Sequence, residues 1–90
     1  MELTQIRYFL SVAKHRNFTR AAEELYTSQP TISKQIALLE KELGVQLFTR
    51  DKQGAHMTYV GQQLYPSFEK ALELIDTAVQ QATKSADDVQ

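Results

Sequence analysis

A mainly α fold, with three short helices, a two-stranded β wing and one long C-terminal helix, is predicted by three features of the sequence. Apolar residues recur at helical spacing in four separate stretches. The period falls towards two only over residues 45–50, and turn-forming residues stand between the stretches. A helix, a tight turn and a second helix followed by a hairpin make a winged helix-turn-helix. By pattern, residues 1–58 form that winged unit and residues 59–90 a long helix with a frayed end.

Leu3, Ile6, Leu10 and Ala13 share one face with Phe9 beside them, so residues 2–15 form a first amphipathic helix. Phe9 belongs in its core and Tyr8 at the core edge. Arg16 and Asn17 break the pattern, and Phe18 anchors the loop. Thr19 is the expected N-cap of a short second helix over 20–26, with Ala21, Ala22 and Leu25 turned inward. The two alanines let another helix axis come close. The connection Tyr26-Thr27-Ser28 then turns the chain steeply into a third helix that starts at Gln29.

That third helix has two dissimilar faces. Ser28 caps it through its hydroxyl, Pro30 suits the first turn because its missing N–H costs little there, and Gly44 closes it. At about 100° per residue, Ile32, Ile36, Leu39 and Leu43 fall on one side, with Pro30, Ser33, Lys34, Ala37 and Lys41 roughly opposite. The first set needs a core. The second holds short polar groups, one methyl and two cations, so the helix backbone can approach a grooved partner closely, as a helix in a DNA major groove does. Taken alone, this pattern also fits an ordinary amphipathic surface helix.

Beyond Gly44, a short strand over 45–50 and a second over 56–58 pair across Asp51-Lys52-Gln53-Gly54, with Arg50 and Lys52 near the hairpin tip. Cations on such a wing reach phosphates or the minor groove. A solvated hairpin whose charges only prevent edge aggregation explains Lys52 equally well. From residue 59 to about 85, Leu64, Phe68, Ala71, Ile75, Ala78 and Ala82 step by four and three, and Leu72 and Val79 widen the stripe. Pro66 is expected to bend this helix or mark its effective start. A single small core covers only the first part of such a helix, so the remainder of the stripe is assigned to a second copy, parallel or antiparallel, in a homodimer. Residues 85–90 carry no pattern and are expected to fray.

Composition narrows the function classes. Ninety residues suffice for one modest core. There is no cysteine, which removes disulfides and thiolate metal sites, and no apolar run approaches the roughly 18 residues of a membrane span. These features read as a cytoplasmic chain with no membrane partner. His15 and His56 are the only imidazoles, no carboxylate pair has ligand spacing, and three isolated glycines make no phosphate loop. The expectation is therefore no metal, no cofactor and no enzyme. The net charge of -1 hides an asymmetry. Up to Thr58, eight cations face six anions, a surplus of two positive charges; from Tyr59 on, two cations face five anions, a deficit of three. If DNA is the partner, the first part touches it.

The run Asn17-Phe18-Thr19-Arg20-Ala21-Ala22-Glu23-Glu24-Leu25, with Ser28-Gln29-Pro30, Ser33, Ile36, Leu39-Glu40, Leu43-Gly44, Leu47-Phe48, Arg50, Thr58 and Gly61, resembles the N-terminal domain of LysR-type transcriptional regulators. The likeness covers essentially the whole chain in order. It implies a winged helix-turn-helix with a linker helix, a homodimer through that linker, and double-stranded operator DNA as partner. It further implies DNA contacts from Gln29, Pro30, Thr31, Ser33 and Lys34, with Arg50 on the DNA backbone. Thr19, Thr27 and Ser28, at the helix starts and their joint, and Lys52 in the wing complete the candidate set. The dimerisation set is Leu64, Phe68, Ala71, Leu72, Ile75, Ala78, Val79 and Ala82, with a tetramer possible in a full-length regulator. The effector domain of that family lies outside these residues, so no small-molecule site is expected among them. Lys34 stands where the family commonly has arginine, and Gln53 where a second wing cation is frequent. Met57 replaces a leucine, and Tyr59-Val60 an acidic-small pair. A rival reading, a winged module that binds protein, draws on the near-neutral charge; salt-dependent affinity for random duplex separates the two.

Overall fold

The computed structural model describes residues 1–88, in the order α1 (Leu3–His15), α2 (Phe18–Glu24), α3 (Gln29–Leu43), β1 (Phe48–Asp51), β2 (Gly54–Met57) and α4 (Tyr59–Asp88). This is the predicted winged helix-turn-helix with its long terminal helix. A reciprocal capping box between Glu2 and Gln5 starts α1, and Arg16, in the left-handed region, ends it. Asn17, not Thr19, caps α2: its Oδ1 accepts from the Arg20 N–H at 2.9 Å. The helix consequently begins two residues earlier than expected and ends at Glu24, with Phe18 in its first turn and buried. Asparagine is the stronger cap, and this placement carries the ring into the core. Ser28 caps α3 by accepting from the Thr31 N–H at 3.2 Å, and Gly44 closes it at φ 73°.

The wing is shorter than its pattern. The Val45 N–H donates to the Glu40 carbonyl at 3.2 Å, and the Glu40 carboxylate accepts from the Leu47 and Phe48 N–H groups at 2.6 and 3.3 Å. With the Val45 and Leu47 N–H groups taken by Glu40, and the Gln46 and Leu47 carbonyls by Thr58, this stretch stays out of the ladder and β1 starts only at Phe48. β2 begins at Gly54, and the antiparallel register Phe48↔Met57 to Asp51↔Gly54 leaves Lys52-Gln53 as a two-residue turn. Thr58 then locks wing to helix. Its hydroxyl donates to the Gln46 carbonyl at 2.6 Å and accepts from the Gly61 N–H at 3.1 Å, capping α4. A Cβ on Gly61 would stand 2.5 Å from the Leu47 carbonyl oxygen, so only glycine lets the helix sit this close.

α4 runs unbroken from Tyr59 past Pro66, so the proline does not mark its start, and the helix continues through Ser85 instead of fraying there. The bond lost at Pro66 is outweighed by packing on either side of it, where Leu64, Tyr65 and Phe68 lie against the core. Val89 and Gln90, part of the expected frayed end, lie outside the described residues. No helix among the described residues is long and apolar enough to cross a membrane.

Phe9 is the centre of the core. Fully buried, it meets Phe48, Phe68 and Tyr65 at centroid distances of 5.4, 5.7 and 6.2 Å, and Phe48 in turn meets Phe18 at 5.8 Å. One ring therefore joins α1, the wing and α4. Leu64 and Phe68 pack on this core and Leu72 is buried, so the first part of the α4 stripe lies on the winged domain of its own chain. Arg7 adds a forked ion pair to Asp76, at 2.8 and 3.3 Å, holding α4 against α1 and keeping the Asp76 carboxyl below its usual range. Past this point α4 projects, and the molecule measures 54 × 25 × 19 Å.

Tyr26, in the turn between α2 and α3, has φ 54° and is 97% exposed. A bulky residue in the left-handed region carries a cost of about 1–2 kcal/mol, and here no burial offsets it. Tyr26→Asn should raise stability by about 1 kcal/mol in urea unfolding, because asparagine tolerates this conformation. A clear loss of stability would show that the ring makes contacts this fold does not contain.

Candidate nucleic-acid interface

The site begins with the way α3 is seated. Ile32, Ile36 and Leu39 are buried and Leu43 half-buried, the four residues whose spacing turned them inward. Opposite them Pro30, Thr31, Lys34, Ala37, Leu38 and Lys41 are exposed. The inner face fixes the outer one, since a helix pinned by its apolar stripe cannot rotate without emptying the core. The exposed face is narrow, bears two cations and carries Leu38 as its one large apolar side chain. Leu38 escaped the sequence reading, although its helical angle already places it there.

Ser33 sits half-buried on the flank of α3 that meets the wing. Its Oγ accepts from Gln29 Nε2 at 2.5 Å and from Arg50 Nη2 at 2.5 Å. The same Arg50 guanidinium lies over the Phe18 ring, its central carbon 3.4 Å from the ring centroid. A cation on an aromatic face is attracted by the ring quadrupole, so Arg50 ties together the wing, the start of α2 and the start of α3. An open cleft of about 370 Å³ lies at this junction, lined by Asn17, Phe18, Thr19, Gln29, Arg50 and Asp51 among others. Thr19, Gln29 and Arg50, far apart in sequence, thus share one surface.

The remaining candidates surround it. The Ser28 and Thr31 hydroxyls lie 2.8 Å apart, and Thr31 also gives its N–H to Ser28, so the cap occupies both side chains. Thr27 is half-buried in the turn and donates its N–H to the Ala22 carbonyl at 3.0 Å. Lys52 stands exposed in the wing turn. Beside it, Asp51 accepts from the Gln53 N–H at 2.8 Å and pairs with His56 at 3.2 Å, which keeps its carboxyl below the usual carboxylate range. The wing tip therefore holds a firm anion next to its cation, and Lys52 works against part of that charge. Elsewhere Glu24 is engaged by His15 and Lys14, and its carboxyl is lowered chiefly by the His15 hydrogen bond.

A helix seated by its apolar stripe, exposed on a cationic face, preceded by a capped tight turn and flanked by a hairpin defines the class of winged helix-turn-helix domains. Residues 3–62 match the model for bacterial regulatory helix-turn-helix proteins of the lysR family. The chain belongs to that family. It is 46% identical over 82 residues to the HTH-type transcriptional regulator BudR of Klebsiella aerogenes, covering 91% of this chain and 57% of that protein. Against the BudR of Raoultella terrigena it is 45% identical over 80 residues, covering 89% of this chain and 28% of that protein. The chain thus spans between about a quarter and somewhat over half the length of these curated relatives. Its fold superposes on the BenM DBD in the crystal structure of that domain's complex with catB site 1 DNA, with TM-score 0.91 and 38% identity, covering 96% of this chain and 97% of that one.

Proposed function

We propose that this chain is the sequence-specific DNA-binding part of a LysR-type transcriptional regulator, acting on double-stranded operator DNA as a homodimer in the cytoplasm. Residues 1–58 carry the winged domain, and residues 59–90 form the linker region, whose helix α4 holds two copies together. The part has no catalytic chemistry and takes no cofactor, and effector binding belongs to another region of the regulator. The observation that carries this reading is the exposed, cation-bearing outer face of α3 beside a wing that joins it through Arg50. A major groove about 12 Å wide admits such a helix. In this assignment Gln29, Pro30, Thr31, Ser33 and Lys34 face base edges. Thr19, Thr27, Ser28, Lys52 and the remaining N–H groups of Arg50 hold phosphates, which fixes register.

Lys34 supplies the direct test. It is exposed at the middle of the outer face, a compact cation where a guanidinium would offer two parallel donors. Lys34→Ala should weaken binding to a duplex enriched from a random pool by about 1–3 kcal/mol if the ammonium reads a base, with preference relaxed at one position. If it holds a phosphate, all sequences weaken alike and the salt slope falls by about one. An unchanged affinity for every duplex would refute the placement of α3 in the groove. Binding of the wild type to no duplex at any salt would favour a protein partner instead.

A further inference from the structure

Ser33 differs from the other hydroxyls of this surface in what is left for it to do. A serine hydroxyl has one proton to donate and two lone pairs to accept with. Both lone pairs are taken, by Gln29 Nε2–H and by Arg50 Nη2–H, each at 2.5 Å. A helical serine or threonine ordinarily returns its proton to the carbonyl one turn back, as Thr83 does to the Val79 carbonyl at 2.5 Å in α4. Ser33 makes no such bond among the described residues. Its proton remains unspent, on the side of α3 that borders the wing cleft.

We infer that Ser33 is an obligatory hydrogen-bond donor to DNA, and that Arg50 is a positioning residue that sets this polarity. The inference rests on the DNA-binding reading above and deepens it. With the lone pairs filled from below, the hydroxyl has nothing to offer a donor such as the cytosine amino group. It takes an acceptor: a purine N7, guanine O6, thymine O4 or a phosphate oxygen. Arg50 contributes beyond orientation, because a cationic donor on Oγ withdraws charge and strengthens the outgoing O–H. The Phe18 ring beneath the guanidinium, 3.4 Å from its central carbon, keeps that donor from swinging away. Arg50 can still give its other N–H groups to phosphates, so the two roles are compatible but separable.

The separation is made with the duplex that the wild-type chain enriches from a random-sequence pool. Affinities of the wild type, Ser33→Ala, Arg50→Ala and the double variant form a cycle. We expect Arg50→Ala to cost at least about threefold more affinity in the Ser33 background than in the Ser33→Ala background, and Arg50→Lys to restore part of the loss. Circular dichroism melts check that each variant is folded; if Arg50→Ala is not, the Arg50→Lys cycle decides. Base analogues that each lack one major-groove acceptor, such as 7-deazaguanine, and single methylphosphonates are then placed along the duplex. One substitution should weaken the wild type and leave Ser33→Ala unaffected. A base analogue there identifies a base acceptor as the source, and a methylphosphonate identifies a phosphate. Losses that multiply independently around the cycle overturn the role of Arg50. No distinguishing position overturns the donor polarity, as follows if the Gln29 amide presents its oxygen to Ser33 and consumes the proton. A wild type that enriches no duplex refutes the underlying reading, and this inference falls with it.

Discussion

Phe9→Ala should cost about 3–5 kcal/mol of stability, a large part of what a domain this size possesses. The ring is 0% exposed and its removal opens a void bounded by Phe48 of the wing and by Tyr65 and Phe68 of α4. Such a void collapses poorly, since each neighbour is itself anchored by other contacts, and the cavity cost then adds to the lost transfer energy. Edge-to-face contact with Phe68, at 5.7 Å and 81°, is lost as well. Urea unfolding followed by circular dichroism measures the effect. A cost below about 1 kcal/mol for Phe9→Ala would mean that α1, the wing and α4 are not united by this ring.

The sequence was most legible where one residue type has one physical use. Ser28, Gly44 and the inward set Ile32, Ile36 and Leu39 stand as their chemistry requires. Errors gathered where two residues compete for one role. Asn17 and Thr19 are both good caps, and only the burial of Phe18 decides between them. Strand length misled because the Glu40 carboxylate, seven and eight residues upstream, satisfies backbone that a pattern assigns to a ladder. The length of the α4 stripe shows that only its first part can lie on the winged domain, but not which residue is the last to do so. Leu64 and Phe68 pack on the chain's own core and Leu72 is buried beyond them, and no periodicity within one helix reveals where that cover stops. At the interface, the outer face of α3 follows from helical geometry. The stacking of Arg50 on Phe18, across 32 residues of sequence, does not.

Ile75→Asp should convert a dimer into a monomer and lower affinity for a two-half-site duplex far more than for one half-site. The reason lies in what α4 leaves exposed once its first turns are packed. Leu74, Ile75 and Val79 are 72%, 38% and 57% exposed, and Ala71, Ala78 and Ala82 lie exposed among them. These alanines matter because small side chains let a second helix axis approach to contact distance. A carboxylate at Ile75 would be carried into that contact without a partner, where the desolvation of an unpaired charge outweighs the apolar area around it. In a dimer the second half-site is bound from an effective concentration set by the first, so losing the linkage should cost about 100-fold or more. Recognition helices held by a symmetric pair of α4 helices read half-sites about one helical turn or a multiple apart, which makes the preferred duplex an inverted repeat. Because Ile75 is partly sheltered by its own domain, Leu74→Asp provides a second variant whose charge stays clear of the core. Analytical ultracentrifugation gives the assembly state, and titration of full and half sites gives the coupling. If the wild type sediments as a monomer at tens of micromolar and gains nothing from a second half-site, α4 does not dimerise this domain.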